Sequence, residues 1–444
     1  MASRLGRLAV QLQARPAAGS EDDDVGVALE AAVNTARRAH LAGGTPLKQA
    51  SKEWQNRVLN LHELVPLARQ SLPATTWSYL RGGSDTEQTL KRNRFALDSL
   101  ALEQSILNDV SQIDPSTTIF GRDLAMPVIT APMGNITSLD EAHYSPRDTA
   151  AGTAGGQVSC ARAAARSGVG HCLSSLGRGW DSKGSYMEEV AAAGEEAGGG
   201  LKIFQLYIRG DWASVKDMAE RAVATGWDAF AITVDVALNS RRDRHIADRG
   251  TKGPASVGGR GGMEHQAAFS WDDVARFKAA FPSSVMPLII KGVMGVADAL
   301  KCLEHGVDGI WVSNHGGRQL DHGKGTMTAL PRIAKAVGGR AKIIIDGGFL
   351  RGADVCKGIC AGADLVAMGR FVGLGLAAGG EEGLTRAFDL LLEEVHTTMG
   401  LMGVPSLAGL VPEMLEDSVA VGTGDGDWIT AAFPLLASFT GNYA

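Results

Sequence analysis

Short apolar segments recur along the chain from about residue 120 onward, and each is followed by polar or glycine-rich residues. Most are then followed by an amphipathic helical pattern, as at 296–305 and 352–362. Short apolar runs bounded by turn residues are typical of buried strands, and their alternation with helices indicates parallel β/α units. The eight predicted strands are Pro127–Ala131, His171–Leu173, Lys202–Leu206, Phe230–Val234, Pro287–Ile290, Ile310–Val312, Lys342–Ile345 and Leu365–Met368.

Eight such units within roughly 270 residues predict an α/β fold, a (β/α)8 TIM barrel, because barrels of this class have about that length. A doubly wound parallel sheet is the main alternative. That fold would carry a glycine-rich dinucleotide fingerprint early in the series of units. The nearest match, at residues 422–427, is poor and lies at the other end of the chain.

The rest of the chain has a different pattern. The apolar spacing up to Pro73 is helical, and Ser84-Asp85-Thr86-Glu87 matches a capping box that would open a helix through about Leu97. The predicted parts are 1–48, an N-terminal extension; 49–120, an N-terminal helical segment that contributes to the active site; 121–415, the barrel; and 416–444, a C-terminal tail.

The chain is rich in glycine, with 57 among 444 residues, and the glycines cluster between the apolar runs where tight βα turns need them. Two segments between predicted elements are long, 135–154 after the first strand and 236–270 after the fourth. In a barrel both would emerge at the C-terminal face of the strands, where the active site lies. We therefore expect both segments to border the active site.

Composition excludes several classes of protein. The net charge of −6 argues against a nucleic-acid partner, which would require a basic surface, and no apolar run is long enough to span a membrane. Five scattered cysteines indicate a reducing compartment such as the cytoplasm. The first 20 residues contain arginines but no acid, a pattern that in a eukaryote would also fit a mitochondrial presequence.

The residues that follow the predicted strands carry the candidate chemistry, because a barrel places its active site at these ends. After the sixth strand, His315 and Arg318 share a glycine loop; a histidine can accept a proton near neutral pH, and an arginine can hold a carboxylate. Asp235, after the fourth strand, could orient His315, and Arg242 could be a second carboxylate ligand. Lys291, at the end of the fifth strand, could contact an electron-rich ring.

Glycine turns follow the seventh and eighth strands, at Asp346-Gly347-Gly348 and at Gly369-Arg370. Barrels often bind phosphate here, through backbone N–H groups and an arginine. The third strand contributes Gln205 and Tyr207 to the same face. No cluster of histidines and cysteines completes a metal site, so no metal is predicted.

The nine residues Ser-Asn-His-Gly-Gly-Arg-Gln-Leu-Asp at 313–321 resemble a motif of the FMN-dependent α-hydroxy-acid oxidases and dehydrogenases, the family of glycolate oxidase, lactate oxidase and mandelate dehydrogenase. The resemblance covers roughly residues 55–415. The supporting motifs, in family order, are Tyr79 with Gly82-Gly83, Ala131-Pro132, Ser174-Ser175, Gln205-Leu206-Tyr207, Thr233-Val234-Asp235, Arg241-Arg242, Lys291-Gly292, Asp346-Gly347-Gly348 and Gly369-Arg370.

This resemblance implies FMN-dependent oxidation of an L-2-hydroxy acid to the 2-keto acid, with the flavin reoxidised by oxygen or another acceptor. His315 would take a proton from the substrate as a hydride equivalent moves to flavin N5, Asp235 would pair with His315, and Lys291 would stabilise the reduced flavin. The implied substrate ligands are Tyr79, Tyr207, Arg242 and Arg318, with the catalytic Tyr207 at the substrate oxygen. The implied FMN ligands are Pro132, Met133, Gly134, Ser174, Gln205, Thr233, Lys291, Ser313, Asp346, Gly347, Gly348, Arg351, Gly369 and Arg370. A homo-oligomer, typically a tetramer, is also implied.

Two departures from the family's usual sequence concern the cofactor and oxygen. Met133-Gly134 stands where Thr-Ala is usual, and a glycine there resembles the lactate monooxygenase branch, so an oxidative decarboxylating monooxygenase remains an alternative. Leu350 stands in place of the first arginine of the phosphate motif, which leaves the phosphate to Arg370, helped by Arg351. A further alternative is a barrel that binds a phosphate ligand without redox activity.

Two other departures concern the substrate. Leu176 stands where glycolate oxidases have an aromatic residue, and an insert occupies residues 135–150. Together they predict a substrate larger than glycolate, with His143 and Tyr144 of the insert as candidates to reach the pocket.

Overall fold

The computed structural model describes residues 48–140, 155–176, 186–248, 258–259, 263–421 and 427–439. The strands are β1 Leu100–Leu102, β2 Thr117–Ile119, β3 Arg122–Leu124, β4 Val128–Thr130, β5 His171–Ser174, β6 Lys202–Leu206, β7 Ala229–Thr233, β8 Asn239–Arg241, β9 Gly258–Gly259, β10 Leu288–Val293, β11 Gly309–Val312, β12 Lys342–Ile345, β13 Leu365–Met368 and β14 Leu415–Asp417. The helices are α1 Lys52–Arg57, α2 Leu64–Ser71, α3 Ala74–Arg81, α4 Gln88–Asp98, α5 Thr137–Asp140, α6 Gly155–Arg166, α7 Met187–Ala197, α8 Trp212–Ala224, α9 Asp243–Ala247, α10 Glu264–Ala268, α11 Trp271–Ala280, α12 Val296–Glu304, α13 Thr326–Val337, α14 Gly352–Cys360, α15 Arg370–Leu401 and α16 Trp428–Ala432.

Eight parallel strands form a barrel in the spatial order β4-β13-β12-β11-β10-β7-β6-β5. The ring closes beside β5, where Gly170 pairs with Ile129 and exchanges backbone hydrogen bonds with Val128 and Thr130 of β4. The predicted TIM barrel is confirmed, with all eight strands at the expected places. A doubly wound sheet is excluded, because such a sheet is open and has two edges.

Alternation along the strands divides the buried side chains between two cores. In β10, Leu288 and Ile290 point outward to the surrounding helices, while Ile289 points into the barrel with Trp311 of β11. The antiparallel hairpin β2–β3 closes the N-terminal end of the barrel, where Phe120 lies against the start of β11. The opposite end, at the C-terminal ends of the strands, is left for polar side chains.

The helix after Gly83 begins later than the capping box predicted. Helix α4 starts at Gln88 rather than at Ser84, and Glu87 has a left-handed backbone with φ of 63°. The Glu87 carboxylate accepts from Gly83 N at 3.0 Å and binds Arg244, and the Ser84 hydroxyl donates to Gly317 O at 3.2 Å. The motif therefore joins the N-terminal segment to the barrel loops, and its expected use as a helix cap is wrong.

A buried ion pair attaches helix α4 to the barrel. Arg94 donates to both oxygens of Asp354 at 2.8 Å, and to Gly348 O at 2.9 Å. Both side chains are almost fully buried, whereas Asp98, the other partner of Arg94, is more exposed. Burial alone would raise the pKa of Asp354, but the Arg94 charge and hydrogen bonds outweigh it and lower that pKa.

We expect Asp354→Ala to lower the free energy of unfolding by about 3–5 kcal/mol, because it leaves a buried guanidinium without its main partner. The control Asp98→Ala should cost at most about 1 kcal/mol, since that partner is more exposed. Urea unfolding at neutral pH measures both values. Since the pKa of Asp354 is lowered in the folded state, this contribution is present above the ordinary carboxylate pKa and is lost as the pH falls through the folded value. Equal losses in the two variants would contradict this account.

Candidate active site

Polar side chains line the barrel where its strands end. Gln205, Thr233 and Lys291 follow inward-facing apolar positions of β6, β7 and β10, so the strand pleat turns them into the barrel. Gln205 Nε2 donates to Thr233 Oγ1 at 2.9 Å, while Gln205 Oε1 is buried and has no partner in the described part of the chain. This oxygen is an acceptor that faces the barrel end without a donor of its own.

His315 and Asp235 form the pair that the sequence predicts. His315 Nδ1 lies 2.8 Å from Asp235 Oδ1, which fixes Nδ1 as the protonated nitrogen when the ring is neutral. The other nitrogen, Nε2, then carries a lone pair, and it lies 3.3 Å from the Tyr207 hydroxyl. Burial would raise the pKa of Asp235, but the charges of His315 and Lys291 outweigh it and lower that pKa, which keeps the carboxylate ionised.

The loop that carries His315 makes a close approach to helix α4. His315 itself has a left-handed backbone with φ of 59°, and Gly317 follows with φ of 73°. A Cβ on Gly317 would lie 2.5 Å from the backbone N of Leu90, and one on Gly83 would lie 2.8 Å from Gly317 O. Glycine at these two positions therefore lets the loop and the N-terminal segment touch.

Two arginines cap the carboxyl end of helix α3. Arg318 Nη1 donates to Tyr79 O and Gly82 O, each at 2.7 Å. Arg370 donates through Nε to Leu80 O at 3.0 Å, and through Nη2 to Gly82 O at 2.9 Å. The last carbonyls of a helix lack partners within the helix and carry partial negative charge, so cations suit this position.

Tyr79, in the last turn of this helix, is placed by these contacts. Its ring centroid lies 4.5 Å from the Arg318 guanidinium carbon and 6.1 Å from the His245 ring. Its hydroxyl donates to Gly134 O at 2.8 Å, which joins helix α3 to the segment after β4. The expected substrate residue thus reaches the cavity, with its hydroxyl proton engaged by a backbone carbonyl.

Positive charge accumulates at this end of the barrel. In the described ranges, Arg242, Arg318 and Arg370 form no ion pair, and Arg242 Nε and Arg318 Nη2 are buried without a partner. Burial and the charge of Arg318 lower the pKa of Arg242 to about 10 and that of Arg370 to about 9. Burial and the charges of Arg242 and Arg318 also lower the pKa of His245. Such a cluster is stabilised by anions that bind between the guanidinium groups.

Lys291 lies at the floor of the site in a network with Ser313 and Asp346. Its Nζ donates to Ser313 Oγ at 2.8 Å and lies 3.3 Å from Asp346 Oδ2, which also accepts from Trp311 Nε1 at 3.0 Å. Burial would lower the pKa of Lys291, but the charges of Asp346 and Asp235 outweigh it and raise that pKa. The ammonium group therefore remains charged inside the barrel.

A cavity of about 910 Å³, including its mouth, is bordered by some of these groups, whereas Gln205, Thr233, Tyr207, Asp235 and Arg242 are not among its lining residues. Most of the expected residues line it; they are Tyr79, Pro132, Met133, Gly134, Lys291, His315, Arg318, Asp346, Gly347, Gly348, Gly369 and Arg370. Several further lining residues were not predicted from the sequence, among them Leu90, Arg94, Phe349 and Trp428. Leu90 and Arg94 belong to helix α4 and Trp428 to α16, and neither helix carries a strand-end motif.

Arg351 does not reach this cavity. Its guanidinium group binds Glu394 through Nε and Nη2 and donates to Ala432 O through Nη1, on the outer side of α14. Leu350, by contrast, is buried and lines the cavity. The structure therefore gives no support to the expected help of Arg351 at the phosphate site. His143 and Tyr144 lie outside the described residues.

The remaining FMN candidates, Ser174 and Ser313, are buried at the ends of β5 and β11. Ser174 Oγ accepts from Leu176 N at 3.2 Å, and Ser313 Oγ also accepts from His315 N at 3.0 Å. Among the described residues, no three or more histidine, cysteine or acidic side chains lie close enough together to hold a metal ion. No described helix is long and apolar enough to cross a membrane.

Comparison with known proteins places this geometry in context. The family model described as FMN-dependent dehydrogenase matches residues 68–417. An L-lactate oxidase from Nostoc sp. is 35% identical over 370 residues, which cover 79% of this chain and 95% of that protein. Glycolate oxidase from Spinacia oleracea is 34% identical over 370 residues, covering 79% of this chain and 93% of that protein. A solved structure of mandelate oxidase with benzoyl-formic acid has a TM-score of 0.69 at 33% identity, covering 82% of this chain and 99% of that chain.

The close approach of the His315 loop to helix α4 gives a direct test of the site's geometry. We expect Gly317→Ala to lower the free energy of unfolding by about 2–4 kcal/mol, because the Cβ is strained by the left-handed backbone and collides with helix α4. Gly323→Ala is the matched control, since its Cβ would lie 3.5 Å from Leu320 O and from Thr89 Oγ1, which is an ordinary contact distance. Chemical unfolding compares the two variants. A Gly317→Ala protein as stable as the control would show that the close approach does not constrain the loop.

Proposed function

The chain belongs to the FMN-dependent dehydrogenase family and oxidises a 2-hydroxy acid to the 2-keto acid with FMN; on this premise we propose that His315 is the base and that Arg242 and Arg318 hold the substrate carboxylate. The observation that carries the proposal is the His315–Asp235 pair beside two guanidinium groups, each with a buried N–H donor that has no partner among the described residues. The substrate is then an anion whose reacting carbon lies next to its carboxylate.

The residues at the barrel end fit FMN. Gln205 Oε1 is a buried acceptor that no donor of the described chain reaches, as a ring N–H of the isoalloxazine would require. Arg370 and the first turn of helix α15 provide a charged side chain and free backbone N–H groups for a phosphate, since helix N-termini bind anions. FMN, when bound, accepts the two electrons of the alcohol and passes them to an external acceptor.

His315 removes the proton of the substrate hydroxyl. Its Nε2 is the basic nitrogen because Asp235 engages Nδ1, and Asp235 stabilises the positive charge that the imidazole gains. The Tyr207 hydroxyl, 3.3 Å from this nitrogen, positions the substrate oxygen. Burial, with the charge of Asp235, raises the pKa of Tyr207, so its hydroxyl remains protonated and able to donate.

The carboxylate ligands set the orientation of the substrate. Arg318 uses Nη1 for the helix α3 carbonyls, and its buried Nη2 has no partner among the described residues, so it can donate to a carboxylate. Arg242 stands directly before helix α9, and Arg244 within that helix binds Glu87, so the N-terminal segment fixes the position of Arg242. Lys291 holds a positive charge at the floor of the site, where it would stabilise the reduced form of FMN.

An apolar cluster beside the proposed base would suit a substrate side chain, because Tyr207 belongs to it and lies against His315. Tyr207, Val236 and Met263 form a small buried cluster against which Leu176 packs. Burial of an apolar side chain there would add binding energy that glycolate, which lacks a side chain, cannot gain. We therefore propose a substrate larger than glycolate.

We propose oxygen as the electron acceptor, because the relatives named above are oxidases. The comparisons support neither the monooxygenase nor the redox-inactive alternative.

The five free, buried cysteines support a reducing compartment such as the cytoplasm. Three large apolar side chains are exposed, those of Ile106, Leu107 and Leu401. The hydrogen bond from Gln104 Nε2 to Leu401 O brings their two segments together, and this exposed apolar surface supports the proposed homo-oligomer.

We expect His315→Gln to retain FMN and to bind substrate with nearly unchanged affinity, yet to lose about 10²–10⁴ in the rate of flavin reduction, because the proton acceptor is missing. Anaerobic stopped-flow absorbance measures this rate. His305→Gln, on an exposed site beside helix α12, is the control and should leave the rate unchanged. Flavin reduction in His315→Gln at the control rate would assign the base to another group.

We expect Arg318→Met and Arg242→Met each to raise the Michaelis constant for a 2-hydroxy acid by about 10-fold or more, since each removes a charged hydrogen-bond donor worth about 1.5–3 kcal/mol. Arg318→Met should also lower turnover, because Arg318 follows the His315 loop and fixes helix α3. Steady-state kinetics with a 2-hydroxy acid, its neutral amide and glycolate tests this. If the wild-type enzyme oxidises the amide as efficiently as the acid, the carboxylate assignment is wrong.

A further inference from the structure

Residues 427–439, beyond the point at residue 417 where the match to the family ends, reach the proposed cofactor site. Trp428, at the start of helix α16, is almost fully buried and lines the main cavity together with Arg370 and Leu350. It also lines a second cavity of about 520 Å³, shared with Leu90. The indole therefore stands in the wall between the main cavity and its neighbour.

Trp428 is held by contacts to the same helix end that the arginines cap. Its Nε1 donates to Arg81 O at 3.0 Å, and the Arg370 guanidinium carbon lies 5.4 Å from its ring centroid. Asp427, the preceding residue, forms an ion pair with the Arg81 side chain and accepts from Ile429 N at 3.0 Å as the cap of helix α16. The segment thus binds Arg81 of helix α3 through both the backbone carbonyl and the side chain of that arginine.

The end of helix α16 is held by a second set of contacts, made by Arg351. Arg351 Nη1 donates to Ala432 O at 3.3 Å, and its guanidinium carbon lies 5.9 Å from the Phe433 ring. Phe433 in turn packs edge-on against His62 at 5.7 Å. Arg351, which does not reach the cavity, instead fixes the segment that carries Trp428.

We propose that Asp427 and Trp428 form a strap that covers the phosphate-bearing end of FMN and slows its release. The proposal rests on the function proposed above, which puts the phosphate at Arg370 and the start of helix α15. The indole orients Arg370 through its ring face and excludes water from the wall that the two cavities share. Leu350 replaces the first arginine of the phosphate motif, so electrostatic binding of the phosphate is weaker. Retention of FMN therefore depends more on this cover.

The experiment measures the rate of FMN dissociation from the full-length holoenzyme, followed by the rise in flavin fluorescence after dilution. Trp428→Ala should increase this rate by about 10-fold or more, because it removes a hydrogen bond and a cation–π contact and joins the two cavities. Trp428→Phe retains the ring under Arg370 and should show a smaller increase. Trp271→Ala, on helix α11 away from the cavity, is the control for loss of an indole.

A second pair of variants tests the anchor without altering the lining of the main cavity, since Asp427 and Arg81 border only the second cavity. Asp427→Asn keeps an oxygen to cap helix α16 but loses the charge that binds Arg81, and Arg81→Met removes the same ion pair from the other side. Each should increase the dissociation rate, and the double variant should be no faster than the faster single one. If Trp428→Ala fails to fold, Trp428→Phe and these variants decide the question.

The outcomes separate this proposal from the proposed function. Faster release in Trp428→Ala, Asp427→Asn and Arg81→Met, with a smaller increase in Trp428→Phe, supports the strap. Release rates equal to that of Trp271→Ala in all strap variants would overturn it while leaving the proposed function intact. A wild-type protein that binds no FMN would overturn both.

Discussion

The capping of helix α3 by Arg318 and Arg370 is the interaction on which the active site depends. The carboxyl end of a helix presents carbonyls without partners, and here two guanidinium groups from the C-terminal face of the barrel satisfy those of Tyr79, Leu80 and Gly82. A segment outside the barrel is thereby fixed against the strand ends. Without this attachment, the cavity would lack the part of its wall that helix α3 provides through Tyr79 and Leu80.

The same interaction creates an electrostatic demand. Helix carbonyls offer only partial charges, so the repulsion among Arg318, Arg370 and the nearby Arg242 is not neutralised. Burial first, and then the charge of Arg318, lowers the pKa of Arg242 and that of Arg370. Two anions relieve the repulsion in the proposed function, the substrate carboxylate between Arg242 and Arg318 and the cofactor phosphate near Arg370. Lys291 is in a different position, because Asp346 already balances its charge. The site is thus stabilised by the ligands it uses.

The sequence predicts the barrel well because strand burial and strand ends leave local signals. Alternation between two cores produces the apolar runs, and the residues after them, such as His315 and Asp235, must share one face once the barrel closes. Contacts set by tertiary packing leave no such signal. Glu87 binds Arg244 and Gly83 instead of capping a helix. Arg351 binds Glu394 outside the cavity, although Leu350 directly before it lines the cavity. Trp428 comes from a tail that no periodic pattern links to the site.

The central claim is that a 2-hydroxy acid delivers its electrons to FMN held in this cavity. The most direct test is an anaerobic titration of the FMN-loaded wild-type protein with a 2-hydroxy acid, which records the visible flavin absorbance and the keto acid formed. The account predicts that the absorbance is bleached and that one keto acid appears for each flavin reduced. A protein whose flavin absorbance does not change in the presence of any 2-hydroxy acid would contradict it.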